Sequence, residues 1–152
     1  MHIIAAKAVA FNEAMTSEFN DYQRQIVVNA KVLAEGLLEK GMELISGGTD
    51  NHIVLVNLTK TDLTGLDAER ALTNAGIYIN RNSIPFDKRG PNVTSGIRLG
   101  TPALTTRGMK EEEMKNIAEW IVRVLEKPHD NKVLGDVKAM VDSLCRQFPL
   151  GY

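Results

Sequence analysis

Apolar positions recur in two rhythms along this chain. Tyr22, Ile26, Ala30, Leu33 and Leu37 follow one another at helical spacing, with Arg24, Lys31, Glu35 and Glu39 between them, which predicts a helix that buries one face and stops near Gly41. Ahead of it, the alanine-rich stretch from Ile3 to Met15 predicts a buried helix, and Thr16-Ser17-Glu18 offers a break and a cap for the next one. After the Gly47-Gly48 turn, Ile53-Val54-Leu55-Val56 is a short continuous apolar run, the pattern of a central strand covered on both faces. Thr64-Gly65-Leu66-Asp67 has the form of a capping box, from which Ala68, Ala71, Leu72 and Ala75 carry a helix to Gly76. Ile77-Tyr78-Ile79 then starts the next strand.

Residues 83–92 hold Pro85, Asp87, Gly90 and Pro91 among charged side chains, so this segment reads as a loop whose prolines restrict its shape. Beyond the strand around Arg98, Glu111, Glu112 and Glu113 occupy a helix's first turn, where carboxylates favour the positive end of its dipole, and Ile117, Ile121 and Val124 form the inner stripe. Val137, Met140, Val141 and Leu144 mark a last helix, stopped by Pro149. Helices alternating with about three short strands give an α+β class, a small antiparallel sheet flanked by helices. The expected division of a single domain over 1–152 is leading helices at 1–41, the sheet with its crossover helix and binding loop at 42–108, and C-terminal helices at 109–152.

Composition sets outer bounds. The formal net charge of −1 leaves no electrostatic footprint for nucleic acid or an anionic membrane. Cys145 is the only cysteine, which rules out an intramolecular disulfide and makes a cytoplasmic location the expectation. The opening MHIIAAKAVAFNEAM is too short and too interrupted by Lys7, Asn12 and Glu13 to be a signal peptide, and no segment approaches membrane-spanning length.

Candidate chemistry centres on Val93 to Gly108. Arg98 stands between Ile97 and Leu99, so on a strand it faces away from both and presents a guanidinium fork suited to a carboxylate; the spacing alone is equally that of a solvated strand arginine. His2, His52 and His129 have neither a helical i, i+4 pairing nor a nearby cysteine, so no metal site is expected. Gly47-Gly48 precedes a strand and lacks a P-loop lysine, which removes it as a phosphate cradle. Lys7 reads as a salt-bridged or snorkelling side chain, and Cys145 as a half-buried one rather than a nucleophile.

The wording of four stretches carries more than their spacing. Ser95-Gly96-Ile97-Arg98-Leu99-Gly100-Thr101-Pro102-Ala103-Leu104-Thr105-Thr106-Arg107-Gly108-Met109 resembles the C-terminal region of the serine hydroxymethyltransferase family. So, in the same order, do Met1 to Phe11, Ser46-Gly47-Gly48-Thr49-Asp50-Asn51-His52 and Asn80-Arg81-Asn82-Ser83-Ile84-Pro85. The resemblance runs from Met1 to Cys145-Arg146-Gln147-Phe148-Pro149 and implies the C-terminal small domain of a fold-type I enzyme that depends on pyridoxal phosphate. Such enzymes interconvert serine and glycine with tetrahydrofolate as one-carbon carrier.

Arg98 then matches the arginine that binds the substrate α-carboxylate, and Asn82 the asparagine that contacts the folate pterin. Gly90, Pro91 and Asn92 fall where the family has a folate-lining Ser-Pro-Phe loop, with serine and phenylalanine replaced here. The family's cofactor lysine lies in a threonine-rich segment that has no counterpart in this chain, so no catalytic residue is assigned and the isolated chain is expected to be inactive. The resemblance also implies serine or glycine, tetrahydrofolate and further copies of the chain as partners. Two alternatives stand beside it: a non-catalytic binding or interaction module derived from the enzyme, and one half of a split enzyme.

Overall fold

Local caps set most helix limits. Thr16 accepts a hydrogen bond from the Phe19 amide at 3.2 Å and so separates α1 (His2–Ala14) from α2 (Ser17–Glu39). At α3 (Gly65–Asn74) the Thr64 hydroxyl accepts from the Asp67 amide at 3.1 Å while the Asp67 carboxylate accepts from the Thr64 amide at 3.2 Å, the reciprocal box written in the sequence. A short helix missed by periodicity, α4 (Pro102–Thr106), precedes α5 (Glu111–Glu126), whose first turn carries the three glutamates. Asp130 caps α6 (Asn131–Gln147) through the Lys132 and Val133 amides.

This computed structural model describes residues 1–150. Its sheet is antiparallel throughout, with β1 (Glu43–Leu44), β2 (Ile53–Asn57), β3 (Asn80–Asn82) and β4 (Gly96–Gly100) in the order β1-β2-β4-β3. The architecture is α+β as expected, with one strand more than the three expected. The additional strand, β1, is only two residues long, too short to show an alternation. The third strand is Asn80–Asn82 rather than Ile77–Ile79, because pairing with Gly96–Arg98 fixes it and not its own apolar content.

The core lies on one side of the sheet only. Val54 and Val56 of β2 and Ile97 and Leu99 of β4 point into it, against Leu33 and Leu37 of α2, Leu72 of α3 and Met114 and Ile121 of α5. Burying each such side chain contributes about 1.5–3 kcal/mol relative to exposure. The expectation that β2 is covered on both faces fails: Ile53 is exposed and Leu55 half-buried, because no element among the described residues covers the second face.

Asn29 of α2 is fully buried and satisfied. It donates to Thr105 Oγ1 at 2.9 Å and to the Met109 carbonyl at 3.0 Å and accepts from Gln25 at 3.0 Å. Thr101 donates to the Ile26 carbonyl at 2.8 Å, so α2 anchors the segment that follows β4 from both ends. α1 departs from its expected burial: not one of its residues is buried, and Ile3, Ile4, Val9 and Phe11 all face solvent. Its alanine-rich composition signals enclosure, but the enclosing surface does not come from the described residues.

Candidate functional site

The uncovered face of the sheet collects the chemistry. Register pairs Leu55 of β2, Arg98 of β4 and Asn80 of β3 in one row across three strands, so all three side chains emerge on the same face. The next row pairs Asn57, Gly96 and Asn82. Asn82 and Arg98 are therefore diagonal neighbours, about 7–8 Å apart between backbones. Among the described residues the Arg98 guanidinium has no ion pair and no hydrogen bond, and neither has the Asn80 amide. Asn82 donates one amide hydrogen to the Ser83 carbonyl at 2.7 Å and keeps its side-chain oxygen free.

Arg98 is the one cation among the strand residues of this face. Glu43, at the far edge, is already paired with Lys60 at 3.0 Å. Across the register Arg98 has the hydrocarbon side chain of Leu55 as its partner on one strand and the amide of Asn80 on the other. An unpaired planar fork between an apolar wall and an amide is suited to take a carboxylate in its plane. By contrast Arg81, between the two asparagines, points to the opposite face and is neutralised by Glu69 of α3. The period of two thus divides the arginines into a structural one and a free one.

Residues 83–95 form a loop with a built interior. Asp87 is its hub: Oδ1 accepts from the Ser95 hydroxyl at 2.7 Å and the Arg89 amide at 2.9 Å, and Oδ2 accepts from the Ser95 amide at 2.9 Å and the Ile84 amide at 3.3 Å. The Ser95 hydroxyl above all, with the amides, lowers the Asp87 carboxyl from its ordinary 3.8 to about 2. The same loop closes on α3, where the Thr94 and Val93 carbonyls accept from the Gly65 and Leu66 amides at 3.0 Å each. Both amides belong to the helix's first turn and have no partner within it. A side chain at position 65 would place its Cβ 2.5 Å from the Gly96 carbonyl oxygen, so only glycine permits this approach.

At its tip, Pro85 and Phe86 occupy the corners of a turn closed by the Asp87 amide on the Ile84 carbonyl at 3.1 Å. Phe86 has φ +59° and is 100% exposed, a strained position that holds an aromatic ring in solvent. Gly90, Pro91 and Asn92 form a second exposed turn, closed by the Val93 and Thr94 amides on the Gly90 carbonyl at 3.0 Å each. No hydrogen bond among the described residues joins this turn to Arg98 or Asn82. Sequence reasoning missed Asn80, Asp87 and Phe86. Asn80 becomes visible only through its register, and the one local signal for the others was the Pro-Phe-Asp turn itself.

A cleft of about 690 Å³ lies between α2 and the turn from Ile45 to Asn51 and ends on Ile53 and Leu55. Gly47 and Gly48 line it, but Arg98 does not. Arg98 stands on an open sheet face rather than in this cleft. No group of three or more His, Cys, Asp or Glu side chains gathers as a metal centre among the described residues, and no helix there is long and apolar enough to cross a membrane. The sequence model of the serine hydroxymethyltransferase family matches residues 1–121, which takes in every strand, the Asp87 loop and Arg98.

Proposed function

The chain belongs to the serine hydroxymethyltransferase family, and from that premise we propose that its open sheet face is the substrate-carboxylate half of a serine–glycine interconverting site. Family membership supports a transferase of this kind for the full protein. The observation that carries the finer reading is the unpaired guanidinium of Arg98, held on a rigid central strand between Leu55 and Asn80. In this reading Arg98 grips the α-carboxylate through two parallel N–H···O bonds and fixes its plane, which orients the bonds at the neighbouring carbon. Lysine would hold the charge without the plane.

The face does not fit attachment of pyridoxal phosphate: of the strand residues on it, none is a lysine. That cofactor is expected from the family, and its attachment is assigned to a further domain, in the same polypeptide or another, apposed to this face. Residues 1–152 are read as the small domain of that pair. What this chain contributes is binding and orientation. Asn82, with a free amide oxygen and one free amide hydrogen, is read as a contact to the pterin of tetrahydrofolate. The Gly90-Pro91-Asn92 turn is read as the border of that site, and Phe86 as a source of the aromatic face that position 92 lacks.

The test is serine–glycine interconversion by this chain combined with a lysine-bearing large-domain polypeptide. R98K is expected to raise the serine KM about 10- to 100-fold, the equivalent of about 1.4–3 kcal/mol of carboxylate binding. N82A is expected to raise the tetrahydrofolate KM and leave that of serine unchanged. F86G is the sharper variant, because glycine suits φ +59° and should not weaken the fold, yet it removes the ring. An unchanged serine KM in R98K would refute the carboxylate assignment.

A further inference from the structure

Asn82 ends a short edge strand. In the sheet order β1-β2-β4-β3, β3 has three register pairs with β4, whereas β4 lies between two strands and has five pairs with β2. On its outer edge β3 is held at its middle residue, where the Glu69 carboxylate accepts from the Arg81 amide at 3.2 Å. Its end is held differently. The last pair is Asn82 with Gly96, and just beyond it a side chain takes over from the ladder: Asp87 Oδ2 accepts from the amides of both Ile84, at 3.3 Å, and Ser95, at 2.9 Å. Between Asn82 and Ile84 stands the Ser83 carbonyl, which accepts from the Asn82 side-chain amide at 2.7 Å. The direction of the free Asn82 oxygen is thus set by the backbone at 83–84, and that backbone is tied to β4 by Asp87.

We propose that Asp87 is the positioning residue of the folate half of the site, fixing Asn82 through Ile84 and Ser83; this rests on the reading of Asn82 as the pterin contact. Asp87 is not itself a ligand group, because its two oxygens already accept four hydrogen bonds, which fills a carboxylate's capacity. Arg98 stands outside this control. β2 holds β4 along its length, and the Leu58 amide fixes the Ser95 carbonyl at 2.9 Å.

The test is the KM for tetrahydrofolate and for serine of this chain combined with the lysine-bearing large-domain polypeptide. D87A is expected to raise the tetrahydrofolate KM about 5- to 50-fold and to leave the serine KM unchanged, a split that a general loss of fold would not produce. D87E, which keeps the charge but displaces the carboxylate by a methylene, should do the same, and it stands in should D87A not fold. D87N is the conservative rescue: its amide can donate to the Ser95 hydroxyl while its oxygen still accepts from the Ile84 and Ser95 amides, so it should raise that KM at most about threefold. In the N82A background D87A should lose most of its effect, because it acts through Asn82. In hydrogen exchange of the chain alone, D87A should speed exchange over residues 80–84 and leave 97–100 protected. An unchanged tetrahydrofolate KM in N82A would refute the folate reading and this inference with it. A raised KM in N82A with no rise in D87A and D87E, equal shifts of both KM values in D87A, or an undiminished effect of D87A in N82A would overturn the assignment of Asp87 alone.

Discussion

Asp87 shows how one carboxylate holds a binding loop in shape. Its carboxyl stays ionised in the fold down to about pH 2, whereas in the unfolded chain it takes up a proton near 3.8. A group whose folded value is depressed contributes in full above its unfolded value and loses that contribution as pH falls through the folded one. Its stabilisation is therefore complete above about pH 4 and fades toward pH 2. Thermal unfolding of wild type and D87N across that range is expected to show a gap at neutral pH that closes as pH approaches 2. A gap independent of pH would instead assign the effect of D87N to altered loop geometry. The neighbouring Phe86 is the complementary case, a residue at positive φ with its ring wholly in solvent.

Among the elements, β4 carries Arg98, and its entry is set by Gly96. A Cβ there would lie 2.6 Å from Ile84 Cγ2 and 2.7 Å from the Val56 carbonyl oxygen. G96A is expected to force β4 from β2 or the loop from β4 and to cost about 1–3 kcal/mol in urea unfolding, with Arg98 displaced along with its strand. Elements with local determinants were legible in the sequence: the Thr64–Asp67 box, the α2 stripe and the glutamate-rich start of α5 all stand where their residues indicated. β1 and β3 were not, since segments of two or three residues become strands only through distant partners. α4 was too short to show a period. The site divided in the same way. Arg98 was readable because its own neighbours set its face, whereas Asn80 needed the register.

At the scale of the whole molecule, apolar patterning indicated burial for α1 and for both faces of β2, and the structure leaves α1 and the second face of β2 open. Periodicity reports that a surface wants cover, not whether the same stretch of chain provides it. Exposed Ile3, Ile4, Val9 and Phe11 on one helix make self-association the expected behaviour of this polypeptide at micromolar concentration. Sedimentation should therefore show a dimer or larger species that I4E/F11E converts to monomer, and a strictly monomeric wild type would contradict this. The open sheet face is a different case: on the function proposed above, its unpaired Arg98 and the asparagines beside it meet a ligand rather than a like surface. The most direct measurement is absorbance between about 330 and 500 nm on adding glycine to pyridoxal phosphate and this chain, with and without a purified lysine-bearing large domain. A glycine-dependent band is expected only when both polypeptides are present, and is expected to be lost in R98A. A band of equal strength from the large domain alone, or one unchanged by R98A, would contradict the claim that this face binds the substrate carboxylate.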